Sequence, residues 1–125
     1  MAAGTTKVLM IGLKSSAVDF EKWPQLSVEK LEAAFVQVLG EVREAGYDAA
    51  WCLVGTGASA ADDVTAALER HAPDIVLVGA GVRTDPDHLH LFETILNISR
   101  ERAPRAKFAF NSMPYDTLEA LRRWS

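Results

Sequence analysis

The residues best suited to do chemistry fall in one stretch, Ile75-Val76-Leu77-Val78-Gly79-Ala80-Gly81-Val82-Arg83-Thr84-Asp85-Pro86. Four aliphatic residues lead into two glycines, a lone arginine with Thr84 beside it, and an Asp-Pro pair. Gly79 and Gly81 allow the backbone a positive φ or a close approach to a ligand. Asp85-Pro86 reads as an N-cap and a first helical residue. The partly unpaired N–H groups of such a helix start attract anions. Arg83 would add a forked, charged donor. The chemistry implied is capture of a small anionic group. The plain alternative is a strand-to-helix turn with a surface arginine.

Other candidates stand before and after this stretch. Lys14 follows the first apolar run, as an anion partner or a solvated charge. Asp19 has no capping role in the sequence and is a candidate general base or ligand acceptor. His88 falls in the first turn after Pro86, as an acid–base or gripping residue or a surface histidine. Asn111 ends an apolar run and can read a polar ligand group. His88 and His90 are two apart on a helix and point to different faces, so they make no metal pair, and no metal site is expected. Ser15, Ser16 and Ser112 have no evident base. Gly55-Thr-Gly-Ala-Ser-Ala60 fits G-x-G-x-x-A, but Asp74, the acid at the right distance, opens the next strand instead of closing it. The Gly79 loop breaks that pattern at Thr84, and no Gly-Lys-Ser/Thr of a phosphate loop occurs. Cofactors stay unknown.

These residues need a frame to bring them together. The 125 residues suggest one domain, 1–125, with an ordinary core. At 49% hydrophobic and 24% charged the chain reads as globular. A net charge of -4 argues against nucleic-acid partners. Cys52 is the sole cysteine, which excludes an internal disulfide. No apolar run reaches membrane-spanning length, and Met1 to Lys7 lack the apolar core of a signal peptide, so no membrane partner is expected and the default location is cytoplasmic.

Apolar runs predict strands at 7–13, 48–54, about 74–78 and 107–110. Helical periodicity predicts helices at about 28–45, 60–71, 86–102 and 116–124. Ser27 reads as the N-cap of the first, Ser59 with Asp62 as a capping box for the second, and Asp116 with Glu119 for the last. Gly46 and Pro73 read as stops. Residues 14–27 form a long loop. Arg100, Arg102, Arg105 and Lys107 read as a solvated face, and His71 as a cap at a helix end. Alternating strands and helices predict an α/β fold, a three-layer α/β/α sandwich on a four-stranded parallel sheet in the order 2-1-3-4, Rossmann-like or flavodoxin-like. That order puts the loops after strands 1 and 3 at a switch point, where ligands tend to bind.

The architecture resembles response-regulator receivers too, but the acidic pair after strand 1, the aspartate ending strand 3 and the fifth strand are missing, and receiver function is not carried over. The second half, through Gly79-Ala-Gly-Val-Arg-Thr84, Leu91-Phe-Glu93, Phe110-Asn111, Pro114, Asp116-Thr117, Glu119-Ala120 and Arg123-Trp124, resembles a family of small α/β proteins with no established activity. The resemblance implies the fold and marks Arg83, His88 and Asn111.

The function expected is binding of a small, anionic molecule at the carboxyl edge of the sheet, with Lys14, Asp19, Gly79, Gly81, Arg83, Thr84 and Asn111 around it and Asp19 or His88 as acid–base if a reaction follows. The rival expectation is a non-catalytic interaction module, such as a homodimer, built on the wide apolar arc of the helix at 86–102 and the apolar edge strands. A concave cleft would favour binding; a flat surface filled by Phe20 or Trp23 would favour assembly.

Overall fold

In the computed structural model, which describes residues 5–125, four parallel strands form one sheet. They are β1 (Lys7–Leu13), β2 (Asp48–Val54), β3 (Ile75–Val78) and β4 (Lys107–Phe110), in the order β2-β1-β3-β4. The longer helices are α1 (Val28–Glu44), α2 (Ser59–His71), α4 (Leu89–Arg102) and α5 (Thr117–Trp124); a single turn, α3 (Ala80–Arg83), follows β3. The three-layer α/β sandwich and its strand order are as the sequence predicts.

The central strands are apolar because both their faces are covered. On one face Leu9, Ile11, Val76 and Val78 pack with Val64 and Leu68 of α2 and Ile95 of α4. On the other, Val8, Met10, Ile75 and Leu77 pack with Val38 and Val42 of α1 and Leu121 of α5. Parallel pairing needs a crossover after each strand, so every loop leaving a carboxyl end starts a new layer. β1 pairs with β2 through Leu13 and Val54 and with β3 through Ile11 and Val78, so its own crossover and that of β3 diverge at the same edge. A groove opens there.

Local signals fix most element ends. The Ser27 hydroxyl accepts the Lys30 amide at 3.1 Å and starts α1. Leu31, Ala34, Phe35, Val38 and Val42 then recur on its buried side. Gly46 at φ 101° supplies the left-handed residue after α1. Three expectations need correction. Ser59 makes no capping bond, and α2 starts at it with Ala58 before it. The helix expected from Pro86 begins as a 3-10 turn, Pro86–His88, and becomes α-helical only at Leu89, because the Asp85 carboxylate takes the Asp87 amide and holds the chain in a tighter turn. Gly79 and Gly81 need no positive φ: Gly79 is extended at φ -70° and Gly81 lies inside α3.

The other positive φ among the described residues belongs to Ala72, at 48°, which closes α2 by bonding its amide to the Leu68 carbonyl at 2.9 Å. A Cβ in this region costs about 1–2 kcal/mol, and the extra unfolded-state freedom of glycine removes part of the gain. Ala72→Gly is expected to stabilise the fold by about 0.5–1 kcal/mol, read as a higher urea midpoint at constant slope. A lower midpoint would contradict the assignment.

Candidate functional site

A cleft of about 470 Å³ opens at the carboxyl edge of the sheet, between the loops that leave β1, β3 and β4. Its size is in the usual range for small-molecule sites, roughly 300–1,000 Å³. The lining is mainly apolar: Leu13 of β1, Leu31 and Phe35 of α1, Trp51 of β2, Val18, Trp23 and Leu26 of the long loop, and Met113 and Pro114 after β4. The polar groups are few. Asp85 and Asn111 are buried, His88 partly so, and Asp19, Gln25, Thr84 and Ser112 lie in the open part.

Trp51 forms the aromatic floor. Its indole N–H donates to the Phe35 carbonyl at 2.9 Å, which satisfies its polar atom and fixes the ring. The Phe35 ring packs against it with centroids 4.9 Å apart. Gly12 makes this possible. A Cβ there would stand 3.2 Å from Leu53 Cδ2 and 3.3 Å from Trp51 Cζ3, so only a bare backbone lets Trp51 lie across β1.

The buried end is organised by Asn111. Its Oδ1 accepts the Ala80 amide at 2.9 Å, and its Nδ2 donates to Thr117 Oγ1 at 3.0 Å. Its backbone carbonyl accepts from Arg83 at 2.7 Å. This bond network caps α3 from across the sheet edge. Because residues 80–83 are helical, Ala80, Gly81 and Thr84 turn toward the cleft while Val82 and Arg83 turn away. Arg83 lies over the Phe110 ring on the other side, 5.7 Å from its centroid.

Residues 14–27 form the outer wall. A 3-10 turn, Ser15–Ala17, begins the loop. Asp19 Oδ1 then takes the Glu21 amide at 3.0 Å, and Lys22 crosses to the far side. Its ammonium reaches Asp85 at 3.1 Å and Asp87 at 2.5 Å. His88 Nε2 stands 3.7 Å from the other Asp85 oxygen. The Asp87 amide holds the Asp85 carboxyl below its ordinary 3.8; burial opposes that, and Lys22 adds to it. Asp87 and then Asp85 raise Lys22 above its ordinary 10.5. Beyond β4, burial pushes Asp116 up, but the Ser112 hydroxyl and the Met113 and Ser112 amides outweigh it and hold Asp116 below the usual range. That carboxylate therefore ties the loop before α5 and, against expectation, makes no capping bond to α5 itself; the first amide of α5, Thr117, bonds the Pro114 carbonyl instead.

Of the residues expected at the site, Asp19, Gly79, Gly81, Thr84, His88 and Asn111 line one cleft. Lys14 and Arg83 do not. Lys14 points to solvent, with its amide bonded to the Val54 carbonyl, and Arg83 is drawn to Phe110 and the Asn111 carbonyl. Asp19 also has the local explanation that sequence alone does not show. Trp23, expected as the filler of a flat surface, lines the cleft instead, and Phe35, Trp51 and Lys22 were missed. The helical period of Phe35 marks it as core, and nothing local links Lys22 to Asp85, 63 residues on. His71, expected as a helix cap, bonds the Asp48 carbonyl with its ring at 3.0 Å. Cys52 is buried, and desolvation raises its thiol. Among the described residues no group of three or more His, Cys, Asp or Glu side chains is placed to hold a metal ion, and no helix is long and apolar enough to cross a membrane. Compared with protein-family models, curated proteins and solved structures, the chain matches none.

Two measurements check this geometry. The Asp85 carboxyl is depressed, so its stabilisation is present above its ordinary value and is lost as pH falls through the depressed one. Lys22 is raised, so its share is present below 10.5 and is lost as pH rises through the raised value. Protection from hydrogen exchange at the Glu21, Lys22 and Leu26 amides is therefore expected to be full near pH 7, to drop as the pH is taken well below the ordinary 3.8 of Asp85, and to be low already at pH 7 in Lys22→Met. Equal protection in all three states would show that the link does not hold the wall. Separately, Gly12→Ala is expected to destabilise the fold by about 1–3 kcal/mol through overpacking and to alter the near-ultraviolet circular dichroism of the tryptophans. An unchanged spectrum and midpoint would mean that Trp51 has room to spare.

Proposed function

We propose that this chain is a cytoplasmic α/β domain that binds a small molecule in the cleft between the loops after β1, β3 and β4. One observation carries the reading: an aromatic-floored cleft at the topological switch point, with two buried polar side chains, Asp85 and Asn111, at its inner end. The residues of the family resemblance support it, since Gly79, Gly81, Thr84, His88, Asn111 and Pro114 all fall in the lining.

The geometry redirects the expected chemistry of the ligand. An anion was expected on the strength of Arg83 and the helix start at Asp85–Asp87, with Lys14 nearby; neither cation lines the cleft, and at the helix start the Asp87 amide is taken by the Asp85 carboxylate. Lys22, the cation nearest its buried end, already faces two carboxylates. A ligand with an apolar body and a small polar head suits this lining better than a phosphate or a carboxylate does. Naphthalene is a direct probe of the apolar body. Saturable quenching of tryptophan fluorescence and a rise in melting temperature by mass action are expected. Gly81→Leu supplies the control. An added Cβ at Gly81 meets nothing within 4 Å, and the side chain it carries would occupy the cleft. Leucine also favours a helix over glycine by roughly 0.5–1 kcal/mol, so the fold should stand while binding falls at least tenfold. Equal binding by Gly81→Leu would remove the cleft from consideration.

A second reading is favoured by a different surface. β4 is an edge strand, with Phe92, Phe108 and Phe110 half-buried beside it and Leu89 59% exposed. A homodimer would cover them, and sedimentation of a monomer at high concentration would exclude it.

A further inference from the structure

The buried end of the cleft has a fixed hydrogen-bonding polarity. Asn111 is 4% exposed and Asp85 7% exposed, and both line the cavity. Thr117 Oγ1 donates to the Pro114 carbonyl at 2.6 Å, so toward Asn111 it acts as an acceptor. The Asn111 carbonyl must meet the Ala80 N–H, which leaves its NH2 facing Thr117. An amide NH2 has two hydrogens and Thr117 takes one. The second is a buried donor with no partner among the described residues. Asp85 has the opposite character. Its Oδ1 accepts the Asp87 amide at 2.9 Å and Lys22 at 3.1 Å. Its Oδ2 has only Lys22 at 3.3 Å and His88 Nε2 at 3.7 Å, and the latter is beyond hydrogen-bond distance. Oδ2 therefore keeps acceptor capacity. Lys22 already pairs with this carboxylate, so a cationic ligand would have to compete with it there. Buried polar groups are costly to leave unmatched, so an occupant must answer one donor and one acceptor while its body lies against aromatic rings.

We infer that the cleft takes an uncharged, flat fused-ring lactam, its ring against Trp51 and Phe35, its carbonyl accepting from Asn111 Nδ2 and its N–H donating to Asp85 Oδ2. This rests on the binding role proposed above and names its ligand class.

Three probes of similar shape separate the two claims. Naphthalene offers no hydrogen bond, N-methyl-2-quinolone offers the carbonyl alone, and 2-quinolone offers the carbonyl and the N–H. Titrations of the full chain are expected to place 2-quinolone roughly tenfold or more below naphthalene in Kd, with N-methyl-2-quinolone between them. Asp85→Asn keeps an oxygen for the Asp87 amide and turns its NH2 toward the ligand N–H, so it is expected to erase the preference for 2-quinolone over its N-methyl analogue. Lys22→Met breaks the same ion pair but leaves the carboxylate, so it is expected to keep that preference. Naphthalene binding to both variants verifies that the cleft is formed. If wild type binds all three probes equally, or if Asp85→Asn keeps the preference, the lactam assignment is overturned and the cleft remains a binding site. If none of the three binds, the binding role itself fails.

Discussion

The Asn111 side chain is the interaction on which the working edge of this protein depends. It is one residue, almost fully buried, and it ties the end of β4 to the turn α3, about thirty residues back in the chain, and to the start of α5, six residues on. Its oxygen takes the Ala80 amide, its nitrogen reaches Thr117, and its backbone carbonyl holds Arg83. A buried N–H at the start of a helical turn must find an acceptor, and no side chain next to it in sequence supplies one. Asn111 supplies it from the next strand. The helical turn it caps then sets which of residues 80–84 face the cleft.

How much of this was legible in the sequence follows from how local each cause is. The strand runs were, because continuous β-branched and aliphatic segments between turn residues admit few other readings. β1, β2 and β4 have the bounds expected from their runs, and β3 lies within one residue. The order followed from short right-handed crossovers. The start of α1 was legible too, since Ser27 caps it three residues away. The turn α3 was not. Gly79-Ala80-Gly81 reads as a loop because glycine is a poor helix former, and the cap that makes it helical sits 31 residues away. The role given to Arg83 failed for the same reason, since a helical turn rotates it to the opposite side. Asp19 looked unexplained because an Asx turn within an irregular loop leaves no periodic trace.

The position of the cleft within the edge has its own cause. Both faces of the sheet meet the carboxyl edge, yet the cavity lies toward the α1 side, where Phe35 and Trp51 stand. Trp51 belongs to the face that packs on α1, and Gly12 leaves that face of β1 without a side chain at the same level. A large ring on the edge strand therefore spreads inward over the glycine. The other face ends in Val54, Val78 and Val82, which fill their space.

Chain length then decides whether such a surface becomes a cleft. Connections between a strand and the following helix usually take about 2–6 residues, and long ones in compact domains tend to be functional. Here residues 14–27 separate β1 from α1. A short connection would lay the first turn of α1 directly over the switch point, and the helix would cover Trp51 as ordinary core. The long one instead sends the chain outward, so that Val18, Trp23 and Leu26 form a wall that stands off from the sheet. That wall has no strand or long helix of its own. Its first residues are anchored by the Lys14 amide on Val54, the Ser15 hydroxyl on Glu32 and the packing of Ala17 and Val18 on the core, whereas the part beyond them is held by turns at Asp19 and Trp23, by Lys30 on the Gln25 carbonyl and by Lys22 reaching the loop after β3. A segment fastened by turns and exposed side-chain bonds opens at lower free energy than the sheet it covers. The same insertion that makes the cavity therefore also makes it accessible, while the buried amide of Asn111 on the opposite wall keeps the inner end fixed.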